Sequence, residues 1–262
     1  MKQLKETSSN IYNRLAPWII PVLLLAGWQL FAMNESISGS ILPPPLEVVQ
    51  TGISMAANGE LWTHIYISFS RAIIGFVIGG GLGIIIGMLN GVYPFAEKHL
   101  DTTVQMLRNI PHLALIPLII LWFGVGEESK IVLVAIGVFF PVYINTYHGI
   151  RSVDKGLIEM GKVYRLSRWR LFSKIILPGA LSSILVGIRY ALGTMWVTLI
   201  VAETIAASSG IGYMSNNARE FMQLDIVVLA ILLYAVLGKA ADSLAKLLES
   251  RLLKWNPVYQ KN

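Results

Sequence analysis

The sequence predicts an all-α integral membrane protein with six transmembrane helices, and three observations predict it. Of its 262 residues 55% are hydrophobic and only 14% are charged, too little charge to coat a soluble domain of that length. Apolar runs close to the ~20 residues that a helical span needs recur over 15–33, 67–92, 104–123, 130–150, 180–203 and 226–248. Basic residues gather on alternate connections. Lys2, Lys5, Arg14, Lys98, Arg108, the seven between 151 and 174, and the five from Lys239 to Lys261 fall on one side, against Arg71, Lys130 and Arg219 on the other. The positive-inside bias then puts both termini in the cytoplasm. The whole chain, 1–262, reads as a single transmembrane domain.

Taken in order, the polar N-terminus MKQLKETSSNIYNRLAP runs into apolar sequence with no small-residue cleavage site. It is expected to lead into a retained first span and not a removed signal peptide. The Pro-rich SGSILPPPLEVVQ predicts an extended external segment and then a short surface helix. In the second span Gly75, Gly79, Gly83, Gly87 and Gly91 recur every four residues, a bare stripe that lets helix backbones approach closely in lipid. Pro111 and Pro117 predict a kinked third span.

The loop 151–178 is too polar to enter lipid. Its Leu157, Met160, Tyr164, Leu171, Ile175 and Ile176 recur at helical spacings and form an apolar ridge flanked by bases. Two readings fit: a helix lying on anionic lipid, or a helix presented to a groove on a partner. In the fifth span stands Arg189, whose insertion costs about 2.5–3.5 kcal/mol at the bilayer centre, so it must face protein or water. Trp196 and Glu203 share its helix face, and Asn109 and His112 share a face of the third span. These five are the candidate translocation path, with Arg189, Asn109 and His112 countering the charge of an anion. The alternative is that Arg189 pairs with acids or carbonyls, or reaches the interface. The segment 208–221, SSGIGYMSNNAREF, is expected to be an external loop.

Several function classes drop out. The net charge of +6 suits nucleic acid, but the bases sit beside apolar spans, where anionic lipid is the partner. There is no Cys, and His64, His99, His112 and His148 match no ligand spacing, so no metal site or disulfide is expected. Residues 156–163, GLIEMGKV, fit the start of a phosphate-binding loop, but Val163 stands where Ser or Thr is needed. With no strand pattern before them, the chain is not expected to hydrolyse ATP, and no catalytic residue is assigned. The span middles hold no carboxylate for a proton relay. A passive anion channel or a pore driven by a partner remains.

Glu159, Gly161 and the run Ile175-x-Leu177-Pro178 resemble the EAA loop of permease subunits of ATP-binding-cassette importers. Two positions depart from that pattern. Met160-Gly161 replaces Ala-Ala, and Arg165 replaces a Gly that would ease a turn between two short helices. The resemblance implies a type I importer-permease fold in a bacterial cytoplasmic membrane. It also implies that this coupling loop docks on a cytoplasmic ATPase, which would bind ATP and Mg, leaving this chain without a cofactor. An extracytoplasmic solute-binding protein, a second copy of the permease and two ATPase copies would complete the assembly. The stretches 105–124, 140–151, 187–214 and 254–257 look like the branch handling sulfonates, taurine and nitrate. They are most similar to aliphatic-sulfonate permeases, so aliphatic sulfonates are the expected cargo, with taurine, nitrate or another small organic anion as the alternative.

Overall fold

A computed structural model describes Ala16 and residues 19–32 and 42–255. Every regular element among the described residues is a helix. In chain order these are α1 (Ile19–Ala32), α2 (Pro45–Ala57), α3 (Glu60–Val92), α4 (Pro94–Arg108), α5 (His112–Phe123) and α6 (Glu127–Arg151). They continue as α7 (Lys155–Val163), α8 (Arg168–Ala206), α9 (Ile211–Glu220) and α10 (Leu224–Leu252). Helices α3, α6, α8 and α10 are long and apolar enough to cross a membrane, and α4 with α5 make a fifth crossing if the bent pair is one span. α1 is apolar but shorter. Leu15, Pro17, Trp18 and Met33, which complete the first expected span, lie outside the described residues, as do Asn256 and Pro257 of the KWNP ending.

The chain forms two compact units. The first takes the described residues up to Trp62 and 214–232. Pro44 is extended and Pro45 opens α2, at a position where the missing N–H would have had no partner anyway. Thr51 Oγ1 donates to Asp225 Oδ2 at 2.6 Å. Gly52 meets Leu229 closely enough that a Cβ would stand 3.1 Å from its Cδ1.

The second unit, 63–213 with the described residues from Leu233 onward, is built on α6. The glycine stripe of α3 lies directly on it. A Cβ on Gly83 would sit 2.8 Å from the Phe139 carbonyl oxygen, one on Gly87 2.8 Å from Thr146 Cβ, and one on Gly91 2.8 Å from Ile150 Cβ. One on Gly79 would collide with the Ala135 carbonyl, and one on Gly75 with Val134. α8 packs on another face of α6, where Gly187 meets Asn145 and Gly149 meets Ser183. Val134, Val138, Val142, Ala191, Met195 and Leu199 form the sealed core of the unit.

Four expectations need correction. The third span is not gently kinked but broken, with α4 and α5 meeting at 83° across Asn109–Pro111. Pro111 disfavours helix at the residue before it. Pro117, by contrast, sits at the start of the α-helical turn Ile116–Phe123 and interrupts nothing. The segment 151–178 is mostly helical: α7 occupies its first half, and α8 is helical from Arg168 and absorbs 168–178. A widened π turn over Phe172–Ile176 precedes Pro178, which relieves the clash of a proline ring with the carbonyl four residues back. Finally, 211–220 of the expected external loop is the helix α9.

Candidate functional site: a charged cleft and an exposed amphipathic helix

A cleft of about 560 Å³ opens in the second unit between α5, α8 and α10, lined among others by His112, Arg189, Tyr190, Thr194 and Asp242. Gly193 and Gly238 also line it, and neither has a heavy atom within 4 Å of where a Cβ would stand, so these bare positions keep the space open. His112 Nε2 lies 3.1 Å from Thr198 Oγ1, which ties α5 to α8. Arg189, 39% exposed, donates from Nε to Asp242 Oδ1 at 2.8 Å, and its Nη2 lies 2.7 Å from the same oxygen. Its Nη1 is 3.7 Å from Glu249 Oε2. Asp242 Oδ2 faces Lys246 Nζ at 3.1 Å and Lys239 Nζ at 3.7 Å. Three cations thus surround two carboxylates, and the cluster carries one net positive charge.

Of the five residues assigned to the path from sequence, the cleft brings together His112 and Arg189. Asn109 is exposed in the α4–α5 break and does not line it. Trp196 is buried, edge-on to Tyr234 at a ring separation of 6.2 Å. Glu203 is fully buried. The shared face is real, but it runs about 21 Å along α8 and changes neighbours on the way, from open cleft at Arg189 to packed core at Glu203.

Glu203 belongs to a polar knot that is buried at Arg71 and Glu203 and open to the surface at Glu127. Arg71, counted from sequence among the bases of the outer side, is 2% exposed and uses all five of its N–H groups. They go to both oxygens of Glu127 at 2.5 Å, to Glu203 Oε1 at 2.8 Å, and to the carbonyl and hydroxyl of Ser209 at 2.7 and 3.1 Å. Glu203 Oε2 accepts from Gly212 N and Tyr234 Oη, and Ser68 Oγ donates to Glu203 while accepting from Ile211 N. Charge burial of this kind is tolerated only when every partner is supplied. The knot ties the turn 207–210 between α8 and α9 to α3. Lys130 is likewise buried, its ammonium on the Val125 and Gly126 carbonyls.

In α7, Asp154 caps the N-terminus by accepting from Gly156 N at 2.7 Å. The apolar ridge read from sequence divides in two. Leu157, Met160, Val163 and Tyr164 are exposed, Val163 by 80%, and Trp169 beyond the turn is exposed as well. Leu171 and Ile175 point inward instead: a Cβ on buried Gly161 would lie 2.6 Å from Leu171 Cδ1 and 2.8 Å from Ile175 Cδ1. Ile175, Ile176 and Leu177 pack on the cluster around Ile150, Val153, Ala180 and Ile184, just ahead of Pro178. Glu159 is exposed beside the outward face. The helix closes with Leu166 N donating to Gly161 O and Arg165 N to Lys162 O, the Schellman pattern. Arg165 itself takes the left-handed conformation, φ 52°, at the position where the family pattern has glycine.

This arrangement of helices is the fold of membrane subunits of type I ATP-binding-cassette importers. One chain of a bacterial alginate ABC transporter, solved with its alginate-bound periplasmic protein, matches with a TM-score of 0.63 over 93% of this chain and 98% of that one, at 16% identity. An amino acid ABC transporter gives 0.61 over 76% and 97%, at 17% identity. The family described as the binding-protein-dependent transport system inner membrane component matches residues 79–254, and the chain belongs to that family. It is a multi-pass inner-membrane permease subunit. A protein of Escherichia coli (strain K12) provisionally named aliphatic sulfonates transport permease protein SsuC is 59% identical over 94% of both chains. Its namesake in Bacillus subtilis (strain 168) is 45% identical over 98% of this chain and 93% of that relative. The taurine transport system permease protein TauC of E. coli is 34% identical over 91% and 88%.

Proposed function

We propose that this permease forms the pore of an ATP-driven importer for aliphatic sulfonates. The observation that carries the reading is α7, a capped helix whose outer face exposes Leu157, Met160, Val163 and Tyr164 beside Glu159. Exposed apolar anchors on a short helix suit a groove on a partner, and the partner is a cytoplasmic ATPase. That ATPase binds ATP and Mg; this chain holds no cofactor. Two permease copies and two ATPase copies make the core, with both permease termini in the cytoplasm and a solute-binding protein on the other side. The basic residues concentrated in the α6–α8 connection and at the C-terminus support that orientation.

The substrate class rests on the relatives named for aliphatic sulfonates, whose identity to this chain exceeds that of the taurine relative. A sulfonate is a permanent anion with an apolar tail. The cleft's mostly apolar walls, and the cluster at its edge with three cations to two carboxylates, offer both contacts, with Arg189 and His112 toward the anion. Uptake of labelled ethanesulfonate into cells carrying the complete transporter tests this. Unlabelled alkanesulfonates should compete strongly, taurine and nitrate weakly. Stronger competition by taurine or nitrate would reassign the substrate, and uptake that continues without ATP would make the chain a passive channel.

A further inference from the structure

Arg189 does not stand free in the cleft. Two of its nitrogens lie within 2.8 Å of Asp242 Oδ1, and Asp242 lines the same cleft. An anion entering must therefore take Arg189 from a carboxylate already in place. Asp242 is in turn held by Lys239 and Lys246 through its other oxygen, so it has somewhere to remain when Arg189 leaves. Glu249, largely buried, keeps Oε1 without a hydrogen-bond partner while Oε2 faces Arg189 Nη1 at 3.7 Å. A second acceptor thus waits on the far side of the guanidinium.

From this arrangement we infer that Asp242 is a charge mask on Arg189 that sets how tightly the cleft holds its cargo. The anion exchanges with Asp242 for the guanidinium during transit, and Asp242 reclaims it to release the anion. A pore must bind its cargo well enough to admit it and loosely enough to let it go. An unmasked arginine among mostly apolar walls would fail the second demand. The inference rests on the cleft being the anion path. It makes Asp242, on α10, a specificity-determining residue beside Arg189.

The test is equilibrium dialysis of radiolabelled ethanesulfonate against the full-length permease in lipid nanodiscs, without binding protein. Asp242→Asn keeps the shape and removes the charge, and should bind about tenfold more tightly than the native chain. Adding Arg189→Gln should abolish that gain, and methyl ethyl sulfone, a neutral analogue, should show none. Lys246→Gln, at an exposed position, frees Asp242 to hold Arg189 harder and should weaken binding. A pair that serves structure alone predicts equal or weaker binding in Asp242→Asn, and that result overturns the mask. So does native or tighter binding in Lys246→Gln, which covers the case of an Asp242→Asn chain that fails to fold. Failure of the native transporter to import ethanesulfonate would strike the substrate class instead, so the two failures are distinguishable.

Discussion

Arg165 shows how one residue records a departure from a family pattern. It closes the Schellman turn after α7 at φ 52°, where an L side chain costs about 1–2 kcal/mol. Arg165→Gly removes that cost but adds about 0.5–1 kcal/mol of chain entropy to be lost on folding. The variant should gain no more than about 1.5 kcal/mol. Thermal unfolding of the purified permease should show a slightly raised midpoint, and a lowered one would mean that the Arg165 side chain contributes contacts beyond the turn. The sequence made the anomaly visible because a glycine was missing from an otherwise matching run. It also made Arg189 visible, since a lone arginine within an apolar run demands a partner. The partner itself escaped notice. Asp242 and Glu249 stand near the end of the last span, and only the packing of α10 beside α8 shows that they reach Arg189. The partners of Arg71 were hidden for a related reason: residue counts give a charge its side of the membrane but not the Glu127 and Glu203 carboxylates that fold around it.

At the scale of elements, the four-residue glycine period of α3 was legible, while its partner helix was not. The stripe rests on the backbone of α6. Gly83→Leu drives a side chain toward the Phe139 carbonyl and Val142, and overpacking of this kind costs about 1–3 kcal/mol. Gly81 lies on the same helix with no heavy atom within 4 Å of its Cβ position. Gly81→Leu should therefore leave assembled permease at native levels in membranes, while Gly83→Leu lowers it, as measured by folded protein recovered in mild detergent. Equal recovery of the two would remove the close-packing role. The ridge of α7 and α8 was only half legible. Helical spacing groups Leu157, Met160 and Tyr164 with Leu171, Ile175 and Ile176, yet it does not tell that the turn at 164–167 folds the second set inward under Gly161. Truncating Leu171 thus acts on the fold, and docking is tested on the outward set alone. The break at Asn109–Pro111 was announced by its proline, but the 83° angle depends on what α5 packs against.

For the whole molecule, hydropathy gave the class, because lipid imposes one demand on every crossing segment. Hydropathy could not give helix neighbours or buried ion pairs, which depend on side-chain fit. The central claim is that the outward face of α7 couples this permease to an ATPase. It is tested most directly by the amount of ATPase retained per permease when the tagged permease is purified from membranes. The native chain should retain one ATPase per permease. Met160→Glu places a charge in the middle of the exposed apolar face, and Glu159→Lys reverses the charge beside it. Both substitutions sit on an exposed helix surface and should leave membrane insertion unchanged. Loss of a central anchor in a small interface is expected to cost 2 kcal/mol or more, roughly thirtyfold in affinity. Retained ATPase should therefore fall to a small fraction of the native level in both variants, together with sulfonate uptake. Native retention and native uptake in both would contradict the claim and leave α7 as a helix resting on the lipid surface.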